Sequence, residues 1–260
     1  MSNWFNVKGK NVVIIGGAGG LGQSNALAYA EEGANVVIAS RNEESLKRAQ
    51  AEIKAACGKE VKYFVADASV EADVIKLVED CVAALGKVDV LICTQAMNKK
   101  FNAEDFPLDI FEQMLKVNVL SLMSCCKYFG KHMMENKYGK IILYSSTRGK
   151  VATKAPGNAG YCSTKGAVDM LTRQLASEFG PHGITVNAIG PTNTETPMTV
   201  EIFEQRGGDA YRATLANDHP MRRVATPDDC SGVALFLGSP ASDYVTGNII
   251  YPDGGLTCNR

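Results

Sequence analysis

Short blocks of aliphatic and β-branched residues alternate along the chain with longer stretches in which apolar positions recur at helical spacing. The first block, Asn11-Val12-Val13-Ile14-Ile15, runs into Gly16-Gly17-Ala18-Gly19-Gly20-Leu21-Gly22. Leu21, Ala26, Leu27, Ala28 and Ala30 then follow a helical period until Gly33 stops them. The alternation continues, predicting further strands over 35–39, 61–66, 88–93, 141–144, 183–189 and 247–251. Helices are predicted over 43–57, 70–85, 104–134, 158–179 and 227–238, the last capped by Thr226 with Pro227 at its first position. Strands alternating with helices of this length imply right-handed crossovers and a parallel sheet covered on both faces. The segment 191–208 breaks the pattern: it has no clean period before Thr199 and reads as a long polar loop beside a strand end, the usual place of a lid.

Strand, glycine turn and helix form the context in which a glycine-rich loop binds phosphate, because the helix N-terminus offers unpaired N–H groups to an anion. The fold class is therefore α/β. We expect one Rossmann-type doubly wound domain over 1–260, with a seven-stranded, mainly parallel sheet. The second predicted strand closes in Ser40-Arg41. A carboxylate at that place would bond the adenine ribose 2′-hydroxyl and repel a 2′-phosphate, whereas a hydroxyl followed by a cation welcomes the phosphate. NADP is the expected cofactor, with NAD as the alternative.

Composition narrows the picture. At 260 residues and 45% hydrophobic content the chain can bury a full core. A net charge of −1 gives no electrostatic reason to expect nucleic acid or an anionic membrane as partner. No apolar run reaches the ~20 residues of a membrane span, and residues 1–10 lack the apolar stretch of a secretion signal. A cytoplasmic location and a small-molecule partner are expected. The eight cysteines contain no Cys-x-x-Cys pair, and His132, His182 and His219 show no ligand-type spacing with them. Reduced structural thiols are expected, and no metal site.

The candidate chemistry lies at 141–165. The strand Ile141-Ile142-Leu143-Tyr144 delivers Ser145 and Ser146 at its end, and Tyr161 and Lys165 stand at i and i+4 of the following helix. A free phenol titrates near ~10, and an ammonium one turn away would favour the phenolate and bring it toward the working range.

In order along the chain, Gly16-x-x-x-Gly20-x-Gly22, Asp67, Asn118, Ser146, Tyr161-x-x-x-Lys165, Pro191, Thr246-Gly247 and Asp253-Gly254-Gly255 resemble the motifs of the short-chain dehydrogenases/reductases, across essentially the whole chain. The resemblance implies Tyr161 as acid/base and Ser146 as hydrogen-bond partner of the reacting oxygen. It implies Lys165 on the nicotinamide ribose, lowering the Tyr161 pKa, and Asn118 holding a water in a proton relay. Cofactor contacts would come from Gly16, Gly20, Leu21, Gly22, Ser40, Arg41, Asp67, Ala68, Ala96, Tyr161, Lys165, Pro191, Thr194 and Thr196. Dimers or tetramers would form through the long helices, where apolar Met114, Leu115, Leu122 and Met123 fit an interface or the core equally well. There are departures from the family pattern. Ile15 replaces a threonine, Cys93-Thr94-Gln95-Ala96 replaces Asn-Asn-Ala-Gly, Thr192 replaces a glycine, and the longer gap before Tyr161 leaves Ser145 open as an alternative to Ser146.

Basic residues gather in loops expected at the sheet rim: Lys99 and Lys100 beside Asn98, and Arg148, Lys150 and Lys154. They suggest an anionic substrate such as a sugar acid or a 3-oxoacyl thioester. The expected function is hydride transfer between NAD(P) and a ketone or secondary alcohol. The alternative is a dinucleotide-binding sensor or scaffold without turnover.

Overall fold

The computed structural model describes residues 4–153 and 156–259. Seven strands form one sheet in the order β3-β2-β1-β4-β5-β6-β7, every pairing parallel. They are β1 Asn11–Ile15, β2 Asn35–Ser40, β3 Lys62–Val65, β4 Val90–Cys93, β5 Gly139–Tyr144, β6 Ile184–Ile189 and β7 Ile249–Ile250. The order reverses between β1 and β4, so a crevice opens where loops after neighbouring strands diverge.

Successive strand residues point to opposite faces. Val13, Ile15, Leu91, Cys93, Ile141 and Leu143 belong to one buried cluster, with side chains from helices α3 Glu71–Leu85, α5 Ser121–Glu135 and α7 Ala159–Phe179. Val12, Ile14, Val90, Ile92, Ile142 and Tyr144 belong to the other, with α1 Gly20–Glu31, α2 Glu43–Cys57 and α10 Asp228–Gly238. Burial on both faces explains why these strands read as unbroken apolar runs.

Four expectations are corrected. The helix expected over 104–134 is a 3₁₀ turn at Ala103–Asp105, then α4 Leu108–Leu115, a π segment at Lys116–Leu120 and α5. Pro107 lacks an N–H and serves as the cap of α4, so no helix passes through it. The last strand is two residues long because Gly247, at φ 74°, turns the chain before it and Pro252 follows it. The lid segment folds into α8 Pro197–Gln205 and α9 Asp209–Asn217. Thr196 and Thr199 cap α8 reciprocally with Pro197 at its first turn, and Gly207-Gly208 separates the two helices. At α10 the cap runs the opposite way to the expectation: the Asp229 carboxylate accepts from the Thr226 N–H (2.8 Å) and hydroxyl (3.2 Å).

Candidate active site

The glycine loop joins β1 to α1 at the switch point. Gly16 sits at φ 81°, where a Cβ would lie 2.5 Å from Thr94 Oγ1, and a Cβ at Gly22 would overlap the Gly16 carbonyl oxygen. Only glycines close this turn. Helix α1 has no side-chain cap at Gly19 and no acidic residue in its first turn, so nothing of its own competes for its free N–H groups. A dinucleotide pyrophosphate fits this cradle. Thr94 donates to the Ile15 carbonyl at 2.9 Å, which braces β1 to β4 where the usual threonine is missing.

At the adenine end, half-exposed Ser40 and exposed Arg41 close β2. Asp67 Oδ1 accepts from the Ser69 N–H (2.9 Å) and hydroxyl (2.7 Å), and Arg41 stands 3.9 Å from Asp67 Oδ2. Burial alone would raise the Asp67 pKa, but the Ser69 bonds and the Arg41 charge outweigh it and hold the carboxyl below its usual range. Ala68 is buried beside it and Ala96 lies exposed after β4. Leu21 is half-buried in the first turn of α1.

Strand β5 and helix α7 converge across the other half of the crevice. Ser146, the N-cap of the short α6 Thr147–Lys150, accepts from the Arg148 N–H at 3.2 Å and donates to the Pro191 carbonyl at 3.3 Å. Its hydroxyl also lies close enough to the Tyr161 phenol to pull the phenol's pKa down. Ser145 faces away, to Asp169 Oδ1 at 2.5 Å and the Lys165 carbonyl at 3.3 Å. Ser146 is thus the serine beside Tyr161.

Lys165 is 1% exposed, and its Nζ donates to the Tyr144 carbonyl at 2.7 Å, 5.6 Å from the Tyr161 ring centre. Here an expectation is overturned. Burial pushes the Tyr161 phenol up to about 12, against the neighbouring Ser146 hydroxyl and the Arg148 charge that pull it down. Burial likewise pulls Lys165 down to about 8, with Asp169 opposing. The ammonium turned toward Tyr144 does not offset the loss of water around the phenol.

Asn118 lies in the π segment with no exposed surface. Its Oδ1 accepts from Met97 N (2.7 Å), and its Nδ2 donates to Met97 O (2.8 Å) and Thr164 Oγ1 (3.0 Å). It therefore ties the turn after β4 to α7 next to Lys165. A π-turn at such a junction is a frequent functional device.

After β6, Pro191 O accepts from Thr147 N at 2.9 Å. Thr194 donates to Thr192 O (3.1 Å) and bridges Ala225, and Thr196 packs directly over Gly20. The lid base thus reaches the dinucleotide cradle. Where a glycine was expected, Thr192 hydrogen-bonds the buried His219 ring at 3.1 Å. Of the basic rim, Lys99 and Lys100 are exposed and Lys150 stands 5.0 Å over the Tyr251 ring; Lys154 lies outside the described residues. Asp169 and Tyr251, bonded to one another at 3.1 Å, escaped the sequence reading. An aspartate one turn beyond a lysine looks like an ordinary surface pair.

The profile of the family described as enoyl-(acyl carrier protein) reductase matches residues 16–257. A glucose 1-dehydrogenase of Gluconobacter oxydans is 33% identical over 249 residues, covering 96% of this chain and 92% of that protein. A solved short-chain type dehydrogenase/reductase of Mycobacterium marinum superposes with a TM-score of 0.91 at 31% identity, covering 98% of each chain. A gluconate 5-dehydrogenase of Burkholderia cenocepacia, solved with NADP and tartrate, superposes at 0.89 with 30% identity and 98% coverage of each chain.

Proposed function

The chain belongs to the short-chain dehydrogenase/reductase family, whose members interconvert alcohols and ketones with NAD(P), and on that premise we propose that it is an NADP-dependent oxidoreductase of small anionic hydroxy or keto compounds, sugar acids foremost. One domain over 1–260 would bind the dinucleotide and perform the reaction. The observation that carries this reading is the convergence of Ser146 on the Tyr161 phenol, one helical turn from buried Lys165, beside a glycine cradle that fits a dinucleotide.

NADP(H), when bound along Gly16, Gly20, Leu21, Gly22, Ser40, Arg41, Asp67, Ala68 and Ala96, with Pro191, Thr194 and Thr196 above it, supplies the hydride. Every other task falls to side chains of this chain. The Ser146 hydroxyl exchanges its bond to Pro191 for one to the substrate oxygen. Tyr161, with its proton held firmly at neutral pH, gives that proton to the developing alkoxide in the reductive direction. Lys165, with a pKa of about 8, is still mostly charged at pH 7 and supplies a cation beneath the reacting groups. Asn118 keeps the Met97 turn and α7 in register and offers its segment to a proton-relaying water.

The anionic substrate rests on Lys99, Lys100 and Arg148, and the tartrate held by the gluconate 5-dehydrogenase supports it. Ser40 and Arg41 support NADP. Met114 and Leu122, two of the apolar residues expected to serve association, are instead fully buried in this chain's own core. That leaves exposed Leu120 and Met123 on the outer side of the π segment and α5 to be covered by association into dimers or tetramers. A panel of keto acids, keto sugars, cyclic ketones and 3-oxoacyl thioesters, read at 340 nm with NADPH and NADH, tests the assignment. Turnover of keto acids with NADPH is expected. Tight NADPH binding without turnover of any compound would replace it with a nucleotide sensor.

A further inference from the structure

Asp169 is 5% exposed and lies one helical turn beyond Lys165 on α7. Both of its oxygens are engaged by neutral hydroxyls: Ser145 Oγ donates to Oδ1 at 2.5 Å and Tyr251 Oη donates to Oδ2 at 3.1 Å. The backbone of α6 passes directly over it, since a Cβ at Gly149 would lie 2.7 Å from Asp169 Oδ2 and 2.8 Å from the Lys165 carbonyl. Tyr251 in turn packs on Gly190, where a Cβ would meet its ring at 2.5 Å, immediately before Pro191. One carboxylate therefore touches the strand end that carries Ser146 and Tyr251 just beyond the last strand, and, through Tyr251, reaches the residue before Pro191.

A buried carboxylate whose hydrogen bonds are all to neutral donors needs a counter-charge. Buried Lys165, whose Nζ bonds only a carbonyl among the described residues, has the complementary need. The other charged or titratable groups around the pair are Tyr161, Cys162 and Arg173 on α7, Arg148 and Lys150 on α6, and Tyr251 and Asp253 beyond β7. Of all these groups only Asp169 acts on Lys165 in the direction that keeps its proton.

We propose that Asp169 is a positioning residue that holds Lys165 in its charged form and fastens the Ser145–Ser146 strand end to α7. Two jobs thereby share one group. The same carboxylate that sets the geometry of the serine sets the charge of the lysine, so the two halves of the acid/base set are coupled. This inference rests on the assignment of Lys165 as the cation beneath Tyr161, yet it can be read without turnover or cofactor.

The experiment follows Lys165 by NMR in the full chain carrying ¹³Cε-labelled lysine, with the resonance assigned by its loss in Lys165→Arg. The parent should titrate near 8. Asp169→Asn keeps the shape and removes the charge, and should move the midpoint down by about one pH unit. The alkaline limb of kcat/KM should move with it. Ser145→Ala and Tyr251→Phe remove a hydrogen bond and keep the charge, so they should lower thermal stability and leave the midpoint in place. The proposal is overturned if folded Asp169→Asn titrates with the parent, or if the two hydroxyl variants shift Lys165 as far. Should Asp169→Asn not fold, Asp169→Ser serves in its place; failure of both to fold would assign Asp169 to folding alone and end the proposal. A parent without turnover would sink the enzymatic assignment while the Lys165 titration still decided this one.

Discussion

Replacing Arg41 by alanine should reduce the preference for NADPH over NADH by roughly twentyfold, and the size follows from where the guanidinium stands. Its Nη1 is 3.9 Å from Asp67 Oδ2, with Arg41 70% and Asp67 33% exposed. An exposed pair of that kind contributes about 0–1 kcal/mol, so the guanidinium can turn to another anion at little loss. A phosphate monoester carries a charge of about −1.5 to −2. At ~4 Å from a guanidinium, in a water-like dielectric, the attraction is about 2 kcal/mol. Since about 1.4 kcal/mol is a factor of ten, the 2′-phosphate gains somewhat more than one order of magnitude from Arg41. The assay is kcat/KM for each reduced cofactor against the same ketone. Raising the ionic strength from about 0.01 M to about 0.15 M shortens the screening length from about 30 Å to about 8 Å. It should shrink the parental preference and leave that of the variant nearly unchanged. An Arg41→Ala protein whose NADPH/NADH ratio stays at the parental value, or which loses both cofactors equally, would refute this reasoning.

Three further outcomes are expected. For carbonyl reduction kcat/KM should be flat from acid to neutral pH and fall as Lys165 loses its proton near 8, while alcohol oxidation should rise with pH because Tyr161, at about 12, must first be deprotonated; a reductive rate that climbs above pH 8 would contradict the assignment. Because the folded value of Lys165 is depressed from 10.5 to about 8, the unfolded chain binds the extra proton between those values, and stability gains as pH rises through that window. Lys165→Met should accordingly be more stable than the parent at pH 7 by roughly 1–3 kcal/mol, with the gain gone near pH 10.5; parallel melting curves for the two proteins across that range would count against the buried charge. Gly16→Ala combines an unfavourable φ of 81° with a 2.5 Å approach to Thr94 Oγ1; it should lose about 2–4 kcal/mol and most of its nucleotide affinity, checked by thermal melting and NADPH fluorescence.

Parallel strands sandwiched between helices must be apolar on both faces, so β1, β2, β4 and β5 stood out by their apolar runs and β6 by its β-branched Ile184, Thr185 and Val186, all within a residue or two of their predicted bounds. The glycine loop was equally legible, since strand, turn and helix frame it locally. What stayed hidden depends on contacts between distant segments. The π segment at Lys116–Leu120 surrounds Asn118, whose amide is committed to Met97 and Thr164, and no periodicity within the helix announces that commitment. Helices α8 and α9 were signalled by Thr196-Pro197 but masked by a polar composition that resembles a loop. In the sequence the only visible influence on the Tyr161 pKa is the lysine at i+4, which points it down. Burial, which only the folded chain reveals, decides it the other way.

Tyr161→Phe keeps the ring and its packing and removes only the phenolic oxygen that meets Ser146. Stopped-flow reduction of the best carbonyl substrate, after confirming that the variant melts and binds NADPH as the parent does, isolates the proton-transfer step. A loss of about 10²–10⁴ in kcat is expected from removal of the general acid. A variant that reduces the carbonyl at the parental rate would mean that the phenol is a bystander and that the reacting oxygen takes its proton elsewhere.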